Sequence, residues 1–589
     1  MLRRCRETLI GIFLALGMVI LVLATTRAAG EGGPEWRTDT LSDFSQGTMD
    51  GVDVWSSPGT ARLDHPWWSN VRVNDDPSLD KLYPRLSFVL TDTTQTHFLI
   101  VWADERDCDH CPDIYFARST DGGKSWSPNV MVQDPCDPND PPYPDCPCLT
   151  APDITVRLTD ESFWVVWQHD PSYDNIGPDD GDIYYATSDD GGTSWSAAAP
   201  VCEDSGMQIL PRIVSHGPSG YLYTIWEDER DDDGDIYISR YNPDVDTAWS
   251  APIKISDDTS GKEQSKPALA VDADGNVYAV WEDRRNDPEG HDSEVYFSRW
   301  RSDTAWNAGN WSANTRLSDP AMDFAEDPTI LAGPGGALFA AWMERVPTGE
   351  STYDFQIVVA RSDDGGDTWN RSVVHRLPEA SEVLAFYANP TIGVDPLGRV
   401  YLAWLYSPDS QVNTASILFS VSPDGGRHWT VPRVLNQPSN EVSADAAPTL
   451  ALGFGGKVVV AWMDYREGAS TQIYATGYPT GCYLNAGEYR REFDAGEMVS
   501  WGTISWTASI TPGTGLVLAT RVMVSPGAGW TDWFTHAASG DALPHPPGRF
   551  IQYRALFSSD GNGTPVLDRV IISYKPQRHV FLPLVFRGD

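Results

Sequence analysis

Pro267-Ala-Leu-Ala-Val-Asp-Ala-Asp-Gly-Asn-Val-Tyr-Ala-Val-Trp281-Glu-Asp-Arg-Arg285 is a phrase that this chain keeps repeating. It reads as a proline, a short apolar run, an Asp274-Gly275 turn, a second apolar run ending in Trp, and an acidic/Arg loop. A third apolar run, Val295-Tyr-Phe-Ser298, follows. Alternating apolar runs joined by Asp-Gly are a strong hairpin signal. The closing tryptophan returns as Trp102, Trp167, Trp226, Trp281, Trp342, Trp404 and Trp462, with 360 residues over six steps and a mean period of 60. Pro84, Pro152, Pro211, Pro267, Pro328, Pro390 and Pro448 keep step with it. A fixed period long enough for four short strands predicts the blades of a β-propeller, in an all-β fold.

The fourth strand of each unit is predicted after a second marker, Trp-Ser or a variant of it. The copies are Trp126-Ser127, Trp195-Ser196, Trp249-Ser250, Trp311-Ser312, Trp369-Asn370 and Trp429-Thr430. One more, Trp68-Ser69 with residues 70–75, precedes the first proline and has no other strands of its own. The last unit, after Tyr474, lacks a fourth strand. Seven blades are therefore expected, with the N-terminal strand completing the last and removing the open sheet edge.

Between third and fourth strands stand Ser119-Thr-Asp121-Gly-Gly-Lys-Ser-Trp126, Ser188-Asp-Asp190-Gly-Gly-Thr-Ser-Trp195, Ser362-Asp-Asp364-Gly-Gly-Asp-Thr-Trp369 and Ser422-Pro-Asp424-Gly-Gly-Arg-His-Trp429. Units three and four keep only Asp246-Thr-Ala-Trp249 and Asp303-Thr-Ala-Trp306. The pattern resembles the Asp box, or bacterial neuraminidase repeat, of the sialidase superfamily, over about residues 67–480. That resemblance implies a sialidase-like propeller. The motif's own chemistry is structural: Gly takes the left-handed turn positions, Asp accepts backbone N–H groups and Trp packs between blades.

Composition bounds the partners. Of 589 residues, 83 are acidic and 42 basic, a net charge of −41. Such a surface repels phosphate backbones and anionic lipid, which argues against nucleic acid, and it suits an anionic ligand only through a local basic pocket. Arg3, Arg4 and Arg6 precede an apolar run, Leu9 to Ala24, and Thr26-Arg-Ala28 fits a cleavage site. Residues 1–28 read as an export signal too short to span a bilayer, and residues 29–64 as a linker. The mature chain is expected to be secreted or at the cell surface, without membrane insertion. An oxidising compartment favours disulfides among Cys108, Cys111, Cys136, Cys146, Cys148 and Cys202 over a zinc site, with Cys482 left over.

Beyond the propeller (residues 65–480) the period stops. Val499–Thr507, Leu516–Val524, Phe550–Phe557 and Val566–Tyr574 alternate between Pro/Gly turns and predict a smaller β-sandwich module over 482–576, followed by a tail, 577–589. Trp501, Trp506, Trp530 and Trp533 are either its core or a sugar-stacking platform.

Ligands of propellers enter at the face carrying the loops after the second and fourth strands. Here those loops hold Asp104-Glu105-Arg106, Glu227-Asp228-Glu-Arg230, Glu282-Asp283-Arg-Arg285, Glu344-Arg345 and Asp464-Tyr-Arg466. Their recurrence favours ion pairs between blades. Blade two breaks the pattern with His169-Asp170 and an insert, blade six with Tyr406. No cofactor is expected, apart from calcium as an option in the loop Asp231 to Asp235. In the sialidase resemblance, Arg106 corresponds to a carboxylate-binding arginine and Asp113 (or Asp109) to a general acid, with Tyr406 or Tyr465 as nucleophile. The family's leading Arg, two residues before the first proline, is Leu82 here, and no other unit supplies it. Arg85 and Arg212 follow their prolines and reach the channel only under a different strand register. Two functions follow: a glycan-binding or surface-interaction propeller without sialidase activity, suited to a neutral or cationic glycan, or a glycoside hydrolase acting on extracellular glycans.

Overall fold

The computed structural model describes residues 35–38, 48–50, 52–53 and 61–63, residues 67–478 apart from 68, 91–95, 107–111, 134–147, 171–180, 232–233, 288–291, 323, 349–352, 377–385, 397, 408–414, 423, 431, 437–446, 454–456 and 469, and residues 486–576 apart from 560–563. The segment expected to be an export signal, Cys482 and the tail lie outside the described residues. The chain divides into two compact units, His65–Cys482 and a second one made of Met1–Asp64 with Tyr483–Asp589. Among the described residues there is no α-helix.

Among the described residues the first unit holds seven four-stranded antiparallel sheets, each built from strands consecutive in sequence except the last. Blade one is Lys81–Leu90, Thr96–Asp104, Asp113–Ser119 and Val130–Gln133. Blade seven takes Thr449–Leu452, Val458–Asp464 and Gln472–Tyr478, and its fourth strand is Val71–Arg72 from the N-terminal side, with Tyr474 opposite Arg72. Asn74 fastens this closure: its carbonyl oxygen accepts from Ile473 N–H at 2.9 Å, and its amide donates to Gln472 at 2.6 Å. Trp68 itself lies outside the described residues. All seven repeating tryptophans are fully buried, so each truncation to Ala would cost about 3–5 kcal/mol.

The Asp boxes hold the outer turns. Asp190 Oδ1 accepts the N–H groups of Thr193 and Ser194 at 2.9 and 3.0 Å, and Ser188 Oγ accepts from Gly192 N–H at 2.9 Å. Gly192 sits at φ 85°, and a Cβ there would lie 2.2 Å from the Phe116 ring of the preceding blade. The box therefore needs glycine both for the turn and for the close approach that lets Trp195 meet Phe116 edge-on at 5.4 Å.

The second unit is one seven-stranded sheet folded over its own core. Its long strand, Ala486–Ser509, pairs through its first half with Gly548–Ser559 and through its second half with Val566–Pro576. Tyr489, Trp501, Ile504, Leu518, Ile551, Tyr553 and Ile572 fill the space between the halves. The reading of residues 29–64 as a linker is corrected: Glu35–Thr38 pairs with Val570–Ser573, Thr48–Asp50 with Glu488–Arg490, and Ala61 bridges Leu567. These strands are two to four residues long, too short for an alternating pattern to mark them.

Candidate ligand site in the propeller channel

The loop arginines are consumed by the ring itself. Trp102 Nε1 donates to Asp104 at 2.7 Å. Arg106 lies over the Tyr115 ring at 4.0 Å and donates to Asp104 (2.7 Å), Asn129 (2.9 Å) and Asp75 (2.9 Å). Asp75 belongs to the segment after the closing strand, so Arg106 ties blade one to blade seven. The same unit recurs as Trp226, Asp228, Arg230 and Tyr237, as Trp281, Asp283, Arg285 and Tyr296, and as Trp462, Asp464, Arg466 and Tyr474, with guanidinium-to-ring distances of 4.5, 4.3 and 4.0 Å. Arg230 reaches back to Asp204 and Arg285 to Asp257, each on the preceding blade. In blade five, Glu344 accepts from Trp342, Gln356 and Arg371, while Arg345 lies over Phe324 and Tyr353 and pairs with Asp292. Asp113 is buried opposite Asp104 at the start of its strand, Glu105 and Asp170 sit on the rim, and Tyr406 packs against the core between blades five and six.

The channel is built differently, and its prolines are the reason. A proline cannot donate to the ladder, so it belongs at a bulge or an edge. In blades one to six the innermost strand carries one extra residue there, with register slips between Leu82 and Arg85, Thr150 and Asp153, Ile209 and Arg212, Ser265 and Ala268, Glu326 and Thr329, and Ala388 and Thr391. The residue before each proline takes the left-handed region: Tyr83, Ala151, Leu210, Lys266, Asp327 and Asn389, at φ 47–54°. Each such residue stores about 1–3 kcal/mol of strain, held by its surroundings. Neighbouring blades do the holding. Glu282 accepts from Asp327 N–H at 2.8 Å, Asp327 from Asn389 N–H at 3.0 Å, and Asp153 from Ile213 N–H at 2.9 Å. A one-residue slip reverses the facing of every later side chain. That is the different register under which Arg85 and Arg212 reach the channel.

They line a cavity of about 680 Å³ together with Asp153, Lys266, Glu326 and Asp327, against an apolar side that includes Tyr83, Leu210, Phe324, Met343 and Phe355. Arg106, Asp113 and Tyr406 are not among its lining residues. Lys266 is committed: it pairs with Asp327 at 2.9 Å and Glu282 at 3.1 Å, and these carboxylates outweigh burial to hold its pKa above the ordinary range. Asp153 stands between the two arginines in the ring, both of its oxygens occupied by backbone N–H groups, with its pKa raised by burial against the pull of Arg212 and Arg85. Arg85 makes no hydrogen bond or ion pair with a described residue, and Arg212 donates only to the Pro211 carbonyl, at 2.8 Å. Burial, then the Arg85 charge, pushes the Arg212 pKa down to about 9; burial lowers that of Arg85 as well. The Asp153 charge acts on both, yet neither guanidinium hydrogen-bonds to it. Glu326 also has no described partner, and burial raises its pKa.

Residues 220–460 match the family model described as a BNR repeat-like domain. The matched residues lie within the propeller unit and carry BNR-like repeats. A search of curated proteins gives no match. Similar solved structures include a Dyadobacter fermentans protein described as of unknown function (12% identity, 70% of this chain and 98% of that one, TM-score 0.40). A Penicillium chrysogenum α-L-arabinanase complexed with arabinobiose also matches (14%, 71% and 100%, TM-score 0.40), as does the NanB sialidase from Streptococcus pneumoniae (11%, 58% and 68%, TM-score 0.40).

Cys202 carries a free thiol that accepts from Arg230 Nη2 at 3.2 Å, so the disulfide expected there is not formed. Cys108, Cys111, Cys136 and Cys146 lie outside the described residues. In the loop weighed for calcium, Asp231 accepts from Tyr237 and Asp235 from Ser256 and Lys254; Asp232 and Asp233 are outside the described residues. His169 stacks on Tyr184 at 4.6 Å and is buried enough to lower its pKa. Glu227, expected on the rim, points inward instead and accepts from Lys266 N–H, and burial beside Glu263 raises its pKa to about 8.

Proposed function

We propose that this exported propeller is a receptor for the acidic end of a glycan, bound in the channel mouth by Arg85 and Arg212 without being hydrolysed. One observation carries the reading: two half-buried guanidiniums line one cavity and make no hydrogen bond or ion pair with a carboxylate among the described residues. Paired guanidiniums recognise a carboxylate through short, charge-assisted, bidentate bonds. The apolar side, with Tyr83, Phe324 and Phe355, offers a surface to a sugar's carbon face. This revises the expectation of a neutral or cationic ligand: the cavity lining balances three cations against three carboxylates, but its two guanidiniums make no hydrogen bond to any of those carboxylates. Hydrolysis of a glycoside uses two available carboxylates. In this cavity Asp153 and Asp327 are engaged, and Glu326 alone is open. The raised pKa of Glu326, with the Tyr83 phenol lining the same cavity, supports the second reading, a glycoside hydrolase with Glu326 as its acid. Calorimetric titration with N-acetylneuraminate, glucuronate and neutral hexoses, beside a fluorogenic sialoside assay, separates the two. Binding restricted to the acidic sugars with no turnover supports the receptor. Turnover abolished by Glu326→Gln establishes the hydrolase, and equal binding of neutral sugars removes the role of the arginines.

A further inference from the structure

The second unit carries a basic face that its fold does not use up. Tyr489, Arg491, Tyr553, Leu518 and Thr520 point into the core or are buried, so their neighbours along the strands point outward. Strand register then sets Arg490 opposite Arg554, which is opposite Ala519, and Gln552 between Glu492 and Arg521. With strands about 4.8 Å apart, three arginines share one patch of sheet. Arg490 pairs with Glu488. Arg521 donates to Gln552 at 2.9 Å, and Arg554 has no hydrogen-bond or ion-pair partner among the described residues, its Nε being buried and unmatched. Like charges placed opposite each other on a sheet destabilise it, and burial with the Arg490 and Arg554 charges lowers the Arg521 pKa.

Two of the tryptophans considered for a sugar platform are here. Trp501 is in the core and Trp506 packs against it. Trp530 and Trp533 instead flank Arg521, with Cζ-to-ring distances of 4.9 and 4.5 Å, and Arg554 lies over Trp533 at 4.5 Å. A guanidinium stacked on an indole keeps its in-plane N–H edge for a ligand and has little side-chain freedom left to lose on binding.

We propose that this face, Arg490, Arg521 and Arg554 with Trp530 and Trp533, binds a linear polysaccharide of uronic acids, whose regularly spaced carboxylates meet the row of guanidiniums. Charge complementarity selects the occupant: three guanidiniums outnumber the two carboxylates on the same face, Glu488 and Glu492, within a chain of net charge −41. The site is separate from the channel, so it is tested in full-length chain already carrying Arg85→Ala and Arg212→Ala. Calorimetry with oligogalacturonate in that background shows binding that weakens with added salt. Arg521→Gln with Arg554→Gln lowers the affinity about tenfold or more at an unchanged melting temperature. Trp533→Phe, which keeps an aromatic face under both arginines, retains binding. Absence of binding, equal affinity in the double glutamine variant, or tighter binding to single-stranded DNA or phosphatidylserine vesicles overturns the proposal.

Discussion

Two sets of arginines in the propeller have opposite fates. Arg106, Arg230, Arg285 and Arg466 stand on the rim, each over a tyrosine and each bound to the aspartate two residues before it. Arg85 and Arg212 stand in the channel, where they break the repeat and have almost nothing to bind. The rim set recurs in four blades, where it fastens the tryptophan and the neighbouring blade together. The channel set does not recur, and no ring contact needs its guanidiniums. In a repeat protein, recurrence marks what holds the ring, and departure from it marks what is left for a ligand.

That contrast breaks if removing a rim group is mild. Asp228→Ala strands the Trp226 indole N–H and the Arg230 guanidinium in a buried setting, and it should lower stability by about 3–5 kcal/mol. Chemical denaturation of that variant beside Arg85→Ala, expected within about 0.5 kcal/mol of the parent, gives the comparison directly.

Glu227 sharpens the contrast from the acidic side. Its folded pKa of about 8 lies above the ordinary 4.5, so the folded state holds the proton more tightly. Stability that is complete below pH 4.5 is lost as pH rises through 8. Glu227→Gln keeps an oxygen for the Lys266 N–H and removes the charge, so it should be more stable than the parent at pH 9, on the order of 3 kcal/mol, and equal to it at pH 4. Melting curves across that range decide; a variant less stable at pH 9 would mean that Glu227 is needed ionised.

The smallest effect belongs to the second unit. Thr520 Oγ1 bridges His536 Nε2 and His545 Nε2, both at 2.7 Å. Burial lowers both imidazole pKa values, and the neighbouring His536 lowers that of His545 further. Their contribution is present above the ordinary pKa of 6.5 and is lost as pH falls through the lower folded values. His536 is buried and His545 half-buried, and the loss is on the order of 1 kcal/mol. Hydrogen exchange of Thr514–Met523 at pH 7 and pH 5 should show faster opening at the lower pH.

The ring was legible in the sequence because its signals are periodic. Seven tryptophans, the Asp boxes and the orphan copy before Pro84 located the sheets and the closing strand Val71–Arg72. The site was only half legible. Loop motifs near Trp102 drew attention to Arg106 and Asp113, while Arg85 and Arg212 depended on a bulge. The prolines did announce it, since a proline repeated in a strand has to sit where the ladder is interrupted. What the sequence alone did not show was the direction of the slip, set by left-handed residues as different as Tyr83, Leu210 and Lys266. The short strands within residues 29–64 were hidden for another reason: their pairing depends on partners more than 400 residues away.

The most direct test of the account titrates glucuronate into Arg85→Ala and Arg106→Ala at a temperature where both remain folded. The account predicts that Arg85→Ala loses about 2–5 kcal/mol of binding free energy with its melting temperature intact, while Arg106→Ala melts earlier and binds as the parent does. Loss of binding in Arg106→Ala with retention in Arg85→Ala would contradict it.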